Sequence, residues 1–288
     1  MRSLPADALP GARARRHWHA RLALSVALRD GRSVLRHCAH EGPLRIQKVL
    51  YPQGPKPAQL LLLHPPGGIA GGDALQIALE VGRGAHALLT TPGAGKWYKA
   101  AGCGARQDVA LRVDAGAALE WLPQESIVFD RAQAAQTLRI DCAGDARCCG
   151  WDIVVLGRKA SAERFAHGRW SQRIELVRDG RPLWAERSRI DGSDPLLQSV
   201  VGWHGLHVSG LLWALGTAFD DGLLAACRAI PAAPPLRMGC TQPLPGLLLV
   251  RVLGDCAERV RAALTAVWAQ LRPALFGLPA LTPRIWST

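Results

Sequence analysis

The chain has 288 residues, enough for one large domain or one domain with a small appendage, and its 49% hydrophobic and 20% charged residues are typical of an ordinary globular protein. Its formal net charge of +12 is compatible with nucleic acid, an acidic membrane or an acidic protein as partner. The basic residues form no run of five or more and accompany no nucleic-acid-binding module, so charge alone does not indicate a nucleic-acid-binding protein.

The cysteines and the N-terminal segment bear on the cellular compartment. None of the eight cysteines belongs to a CxxC pair, which excludes a local structural zinc motif. The basic N-terminal stretch leads into Leu22, Leu24, Val26 and Leu28, which alternate with period two as in a strand and unlike the apolar core of a secretory signal. We therefore expect a cytoplasmic protein with free thiols.

A weak internal repeat organises the first half of the chain. The segment LEVGRGAHALLTTPG, which begins at Leu79, is echoed 32 positions later by LRVDAGAALEWLPQE, and a less similar third copy begins at Leu138. Each unit reads as a strand, a glycine corner, a second strand and a loop. This pattern predicts stacked β layers, as in a β-solenoid, with an ordinary β-sandwich as the alternative. In a solenoid, Val81 and Val113 should face inward from neighbouring layers.

Two hairpins and a mixed C-terminal part complete the predicted elements. Asp30-Gly31 and Asp179-Gly180 are hairpin turn signals. Residues 195–219 lack Asp, Glu, Lys and Arg, but their glycines and histidines favour a buried strand with its approach loop over a membrane span. A short helix over residues 220–230, a proline-rich connection over 231–245, a strand, and a helix capped by Asp255 follow.

The predicted fold class is therefore mainly β. A β-helical, solenoid-like body of stacked short strands occupies about residues 18–204, and a small C-terminal α/β (βαβα) appendage occupies about residues 205–288. We expect the two parts to form a single domain over residues 1–288.

The motif HPPGGIAGGD, from His64 to Asp73, is the first candidate site. A phosphate-binding P-loop is excluded because the motif has no lysine and leads into a strand rather than a helix. Its prolines and glycines are typical of a tight turn. The flanking imidazole and carboxylate suit a borderline divalent ion such as nickel or zinc, although a hydrogen-bonded structural role is the commoner fate of such a pair.

No other segment supplies a complete catalytic constellation. Thr90 and Thr91 in LLTTPGAGKWYK have no attached histidine base, which argues against nucleophilic catalysis. The segment ALEWLPQESIVFD carries three carboxylates whose separation the sequence does not define. His204 and His207 lie three residues apart, but neighbouring glycines argue against a helix that would bring them together.

Five motifs, in order, resemble one known family. They are LLLHPPGGIAGGD, LLTTPGAGKWYK, LEWLPQESIVFD, WDIVVLGRKASAERF and LRPALFGLPALTPRIW, within a match that spans about residues 18–286. In this combination the chain resembles urease accessory protein D, the UreD/UreH family. Ala162 stands where the family usually has glycine, and Ala70 stands where valine is commoner.

The resemblance implies a non-enzymatic protein with a β-helical body and a helical appendage. Members of the family bind apo-urease and join the accessory proteins F and G, of which G is a GTPase that carries nickel. Nickel is then cargo in transit to the urease active site, and no organic cofactor, nucleic acid or membrane is implied. The resemblance also suggests a nickel passage through the body. We assign relay roles in it to residues in or beside the matching motifs: His64, Asp73, Thr91, Glu120, Asp152 and Glu175.

Two other functions stay open at this level. A metal-dependent hydrolase would use His64 and Asp73 as ligands and would turn over without urease. A basic nucleic-acid-binding protein would bind with an affinity that falls steeply as salt concentration rises.

Overall fold

The computed structural model describes residues 17–216 and 219–287, which form two β-sheets and two α-helices. The first strands in chain order are β1 (His19–Arg29), β2 (Arg32–Glu41), β3 (Arg45–Ile46), β4 (Ala58–Leu63), β5 (Ala74–Val81), β6 (His86–Thr90), β7 (Gly95–Trp97), β8 (Ala105–Val113) and β9 (Ala118–Leu122). They are followed by β10 (Ser126–Val128), β11 (Gln133–Cys142), β12 (Arg147–Leu156), β13 (Arg169–Arg178), β14 (Arg181–Asp191), β15 (Val208–Leu215), α1 (Asp221–Arg228), β16 (Arg237–Leu244), β17 (Leu247–Gly254) and α2 (Ala257–Phe276).

The middle of the chain is a β-solenoid, as the repeat predicts. From β5 onward the chain alternates between the sheets, so that β5, β8, β11 and β13 run parallel in a seven-stranded sheet, and β6, β9 and β12 run parallel in a ten-stranded sheet. Short strands β7 and β10 pair with each other, and β10 pairs with the end of β12, which adds a third ladder to the coil.

The register confirms the predicted repeat. Val81 pairs with Val113, which pairs in turn with Cys142, and all three side chains are buried. The corners that follow β5 and β8 turn at Gly84 and Gly116, whose φ angles of +71° and +72° lie in the left-handed region that only glycine adopts readily. The first two copies therefore occupy equivalent positions in neighbouring layers, whereas Leu138, at the start of the third copy, lies opposite Val109 and not Leu111.

The two predicted hairpins are present, and their turns share one geometry. Asp30 and Gly31 between β1 and β2 have φ angles of 48° and 76°, and Asp179 and Gly180 between β13 and β14 have 50° and 76°. Positive φ at both central residues is typical of type I′ turns, which match the right-handed twist of paired strands.

The ten-stranded sheet separates two hydrophobic cores. The first lies between the sheets, inside the solenoid, and the second lies between the outer face of the ten-stranded sheet and the helices. Strand β9 is buried along its whole length because both of its faces are covered, with Leu119 and Trp121 in the first core and Leu122 in the second. Each large aliphatic side chain buried in this way contributes on the order of 2 kcal/mol.

The C-terminal part contains one strand more than the sequence predicts. Strand β16 lies within residues 231–245, which we expected to be a proline-rich connection, so the order is β15–α1–β16–β17–α2. These strands extend the ten-stranded sheet from β12 through β15 and β17 to β16. The α/β part therefore shares a sheet with the solenoid.

The start of α1 agrees with the prediction from the sequence, and the cap of α2 differs from it. Asp220 caps α1, as its oxygen accepts a hydrogen bond from the Leu223 amide at 2.7 Å. The prediction that Asp255 caps α2 is wrong, because Cys256 occupies that position and Asp255 pairs instead with Lys159 at 3.7 Å and Arg259 at 3.6 Å.

Residues 195–207 form a loop that leads into the buried strand β15, as expected. Residues 217–218 lie outside the described part of the chain. Of the two helices within the described residues, neither combines the length and hydrophobicity needed to cross a bilayer.

Candidate functional site

A cavity of about 220 Å³ lies at the edge of the first core and brings together two of the predicted site residues, His64 and Thr91. His64 directly follows β4 and Thr91 directly follows β6, and these strands are parallel neighbours with Leu61 opposite Thr90. Because the carboxyl ends of parallel strands meet at one edge of a sheet, the two side chains line the same space.

His64 is suited to offer a lone pair in this cavity. Burial lowers the pKa of its imidazole, and the nearby negative charge of Asp73 raises it, with burial as the larger influence. The ring is therefore neutral at neutral pH, which is the form that binds metals.

Asp73 holds the HPPGGIAGGD turn together. Its Oδ1 accepts a hydrogen bond from the Trp18 amide and its Oδ2 accepts one from the Ala70 amide, each at 2.9 Å. The backbone of the turn passes close to neighbouring groups, so that a Cβ at Gly72 would lie 1.7 Å from the His17 Nδ1. The carboxylate thus caps local backbone amides, and its charge still acts on His64.

Thr91 connects the cavity to the loop after β9. Its hydroxyl donates to the Gly93 carbonyl at 3.0 Å and accepts from the Gln124 amide at 2.9 Å. The Gln124 side chain and the neighbouring Glu125 carboxylate both accept hydrogen bonds from Arg261 on α2, at 2.7 Å and 2.8 Å.

A row of three glutamines leads from the cavity along the inner face of the seven-stranded sheet. Gln107 lines the cavity and pairs in register with Gln136 on β11, which pairs with Gln172 on β13. The residues two positions before and after each glutamine lie in the first core, so the alternation of each strand points all three side chains inward. We refer to Gln107, Gln136 and Gln172 as the glutamine row.

Asp152 faces this row from the opposite sheet. Its neighbours at alternate positions on β12, Gly150 and Val154, point into the solenoid, and its Oδ1 accepts a hydrogen bond from Gln136 Nε2 at 2.8 Å. Burial raises the pKa of the Asp152 carboxyl to about 7, and the hydrogen bond from Gln136 only partly counteracts this.

Several buried polar atoms around Asp152 have no hydrogen-bond partner among the described residues. These are Asp152 Oδ2, Gln136 Oε1 and Gln172 Nε2, together with the indole nitrogens of Trp121 and Trp213, which belong to the same inner core. Buried polar groups in proteins are normally paired. These atoms form a polar patch in an otherwise apolar interior.

Glu120 lies on the other face of the ten-stranded sheet, at the interface with α2. Its Oε2 accepts hydrogen bonds from Trp268 Nε1 at 2.7 Å and Arg272 Nε at 2.9 Å, and its Oε1 is 3.0 Å from Arg272 Nη2 and 2.9 Å from His86 Nε2. Burial raises the pKa of the Glu120 carboxyl, but the bonds to His86 and Arg272 outweigh it and the pKa is lowered. Glu120 is an ionised carboxylate with every lone pair engaged.

Glu175 is on the outer face of the seven-stranded sheet, because its neighbour Ile174 points inward. It pairs with Arg173 and, at 3.3 Å, with Arg139, and the hydrogen bond from Arg173 is the largest influence lowering the pKa of its carboxyl.

The structure thus divides the six predicted site residues. His64 and Thr91 line the cavity, and Asp73 braces the turn beside it. Asp152 is joined to the cavity by the glutamine row, and Glu120 and Glu175 face elsewhere. The described residues include no cluster of three or more His, Cys, Asp or Glu side chains able to hold a metal ion. Sequence reasoning missed the glutamine row, although a polar residue at an inward position of an alternating strand is a signal for it.

Comparisons with known proteins agree in pointing to one family. The family model of the UreD urease accessory protein matches residues 19–287. The urease accessory protein UreD of Dechloromonas aromatica is 50% identical over 277 residues, which cover 94% of this chain and 95% of that protein. The proteins of the same name from Pseudomonas fluorescens and Pseudomonas aeruginosa are 53% and 52% identical over 274 residues, with the same coverage of both chains.

Proposed function

Because the chain belongs to the UreD family of urease accessory proteins, we propose that it binds apo-urease together with accessory proteins F and G and conducts nickel to the urease active site. The observation that supports a conducting role is the polar line from the His64 cavity through the glutamine row to Asp152, inside an otherwise apolar solenoid. As the family is one of accessory proteins, the alternative of a hydrolase built on His64 and Asp73 does not hold.

The chemistry of the line suits a cation in transit. Affinity for divalent metals follows the ligand type and number, so a compact set of imidazole and thiolate ligands would retain nickel rather than release it. Here one neutral imidazole, amide oxygens and one carboxyl group are spread along the interior. Each position offers few ligands, which favours exchange between neighbouring positions and water.

The six residues take different roles in this proposal. His64 and Thr91 line the entrance, Asp73 attracts the dication to it while bracing the turn, and Asp152 is the inner acceptor. Arginine donors already occupy the carboxylate oxygens of Glu120 and Glu175, so we assign both residues structural roles. Glu120 holds α2 against the ten-stranded sheet, and Glu175 stabilises the outer face of the seven-stranded sheet. We assign no organic cofactor, and we place the assembly in the cytoplasm.

The net charge of +12 favours a partner with an acidic surface, since complementary charges accelerate association and fix orientation. We propose that this partner surface belongs to protein, namely apo-urease or protein F, and not to nucleic acid. Formation of these protein complexes should slow as salt concentration rises. The chain should show no preference for any DNA sequence.

The test is activation of purified apo-urease at limiting nickel by proteins F and G, GTP and this chain. His64→Leu and Gln107→Leu should reduce the nickel content and urea hydrolysis of the product several-fold while leaving complex formation intact. Matched controls are His40→Leu and Gln133→Leu, which change the same residue types at exposed positions of β2 and β11. Full activation by both cavity variants would refute the interior route.

A further inference from the structure

We propose that Cys142 and Cys148 form a reactive dithiol that hydrogen peroxide converts reversibly into a disulfide, and that Arg178 activates Cys142 for this reaction. The inference goes beyond the proposed function and does not depend on it, because it concerns thiols at the corner between β11 and β12 and none of the residues assigned to the passage.

The two thiol groups are in contact inside the solenoid. Cys142 is the last residue of β11 and Cys148 is the second residue of β12, and their sulfur atoms lie 3.4 Å apart. The turn between them is braced by a hydrogen bond from the Ala146 amide to the Ala143 carbonyl at 3.0 Å. A disulfide brings its sulfur atoms to about 2.05 Å. Since a short, braced turn already holds the sulfur atoms together, a small closure is enough to join them.

Cys149, the next residue along β12, is excluded from this pair. Successive side chains of a strand point to opposite faces of the sheet. Cys148 therefore lies with Cys142 in the first core, whereas Cys149 lies in the second core. The faces of the strand select one of two adjacent cysteines as the partner of Cys142.

Cys142 is the thiol that a small oxidant can reach. It borders a surface cavity of about 380 Å³ at the ends of β8 and β11, beside the Asp179-Gly180 turn. Cys148 does not line this cavity and is fully buried. The hydrogen bond with Cys142, followed by burial, raises the pKa of the Cys148 thiol well above its ordinary value. Cys142 is thus the sulfur that attacks the oxidant, and Cys148 is the resolving thiol that keeps its proton until then.

Arg178 brings a positive charge to the pair. It lies opposite Cys142 on β13, and its side chain points inward because Leu176, two positions earlier, also points inward. Its Nη2 donates to the Ala146 carbonyl at 3.0 Å, and its Nε is buried without an acceptor among the described residues. Its charge reaches the pair, since it favours the ionised form of Cys148 against the stronger opposing influences. A cation beside a thiol stabilises the thiolate, which is the reactive form.

The reaction balances in two steps. The Cys142 thiolate attacks one oxygen of hydrogen peroxide, so that an S–O bond forms and the O–O bond breaks, and the hydroxide that leaves takes up the proton lost by the thiol. The Cys148 thiol then attacks the sulfenic sulfur, so that the S–S bond forms, the S–O bond breaks and a second water leaves. The two sulfur atoms together lose two electrons, and the peroxide gains them. A thiol reductant reverses the result by exchange.

The disulfide would link the two sheets of the solenoid. Cys142 belongs to the seven-stranded sheet and Cys148 to the ten-stranded sheet. A cross-link at this corner fixes their spacing and restricts the unfolded chain, which stabilises the folded state. The oxidised protein should therefore melt at a higher temperature than the reduced protein.

The experiment is oxidation of the full-length protein with a small excess of hydrogen peroxide, followed by alkylation of the remaining thiols, tryptic digestion and mass spectrometry. Because Arg147 lies between the two cysteines, trypsin releases residues 140–147 and 148–158 as separate peptides unless a disulfide joins them. We expect the joined pair in most of the protein and its loss on treatment with dithiothreitol. An absent pair, or Cys142 found as sulfinic acid, would overturn the proposal.

Variants identify the sulfur atoms and the role of the arginine. Cys149→Ala should keep the joined peptides and Cys148→Ala should lose them, and the reverse outcome would show that the pairing is wrong. Arg178→Met should slow disulfide formation about tenfold, and Arg178→Lys, which keeps the charge, should restore most of the rate. Arg181→Met is the matched control, since Arg181 is exposed, and it should react like the unmodified protein. Equal rates for Arg178→Met and the unmodified protein would show that Arg178 does not activate Cys142.

Discussion

Replacing Arg272 by methionine should destabilise the protein by about 3–5 kcal/mol, because the change strands a buried carboxylate. Glu120 and Arg272 are both fully buried, and Arg272 donates to both oxygens of Glu120. Without the guanidinium, Glu120 keeps Trp268 and His86 as neighbours but loses the charge that offsets its desolvation. Arg272 also donates to the Pro279 carbonyl, so the segment after α2 should loosen with the helix.

A double-mutant cycle separates the contribution of the Glu120–Arg272 ion pair from the general cost of losing a large side chain. Glu120→Gln alone leaves the guanidinium buried without its counter-charge and should cost a similar amount. The combined Glu120→Gln, Arg272→Met variant removes both charges, and exchanging a buried ion pair for neutral groups of similar volume is often close to neutral. We therefore expect the double variant to be more stable than the sum of the single changes by more than about 3 kcal/mol.

The assay is urea unfolding followed by tryptophan fluorescence, since the network includes Trp268 and Trp286 packs 6.4 Å from it. Arg259→Met is the matched control on the same helix, because its contact with Asp255 is a surface pair with the arginine 51% exposed, and it should cost less than about 1 kcal/mol. Single changes that add within about 0.5 kcal/mol would refute the idea that these side chains act as one unit.

Three further outcomes follow from single positions. Asp152→Asn should stabilise the protein at pH 8 by on the order of 4 kcal/mol. The pKa of this buried carboxyl rises from 3.8 to about 7 on folding, so the folded protein loses stability as the pH increases between those values, and a neutral Asn avoids that loss. Urea unfolding at pH 4 and pH 8 measures the difference, and an equal effect of the substitution at both pH values would contradict the raised pKa. Asp73→Asn keeps only one acceptor for the two backbone amides that Asp73 caps, so it should lower the free energy of unfolding by about 1–2 kcal/mol while the protein still folds. Urease activation at limiting nickel should fall. Normal activation would show that Asp73 is not part of the passage. Gly150→Ala places a Cβ 2.5 Å from Trp213 and should lower the stability measured in thermal melts by about 1–3 kcal/mol. Gly180→Ala is the comparison: its Cβ meets no atom within 4 Å, so it measures only the cost of a side chain at the positive φ of a turn.

The solenoid could be predicted because its layers repeat in the sequence. The strand, glycine corner and strand of residues 79–93 return in residues 111–125, and the pairing of Val81 with Val113 follows directly from that spacing. Hairpin turns were equally readable, since Asp-Gly pairs suit the positive φ angles of type I′ turns. Local chemistry alone specifies these features.

Other features depend on contacts that no local pattern reports. Strand β16 contains Pro243 and follows several prolines, which argue against a strand, yet it lies at the edge of the sheet, where a proline costs least. Arg272 is read from sequence as one more polar residue of a helix, and its partner Glu120 lies 152 positions earlier. The glutamine row acquires meaning only once the register of three strands is known.

Glu120 and Asp152 show two ways in which this fold buries a carboxyl group. The two carboxyl groups lie on opposite faces of the same sheet, and both are shielded from water. Glu120 meets three donor side chains, so its charge is neutralised in place and a passing cation would have to displace an arginine. Asp152 has one amide donor and one oxygen without a donor among the described residues, so an incoming polar group would not have to displace an arginine there. In the proposed passage, groups of the second kind would line the interior and groups of the first kind would stay outside it, and the ten-stranded sheet separates the two by alternating its side chains.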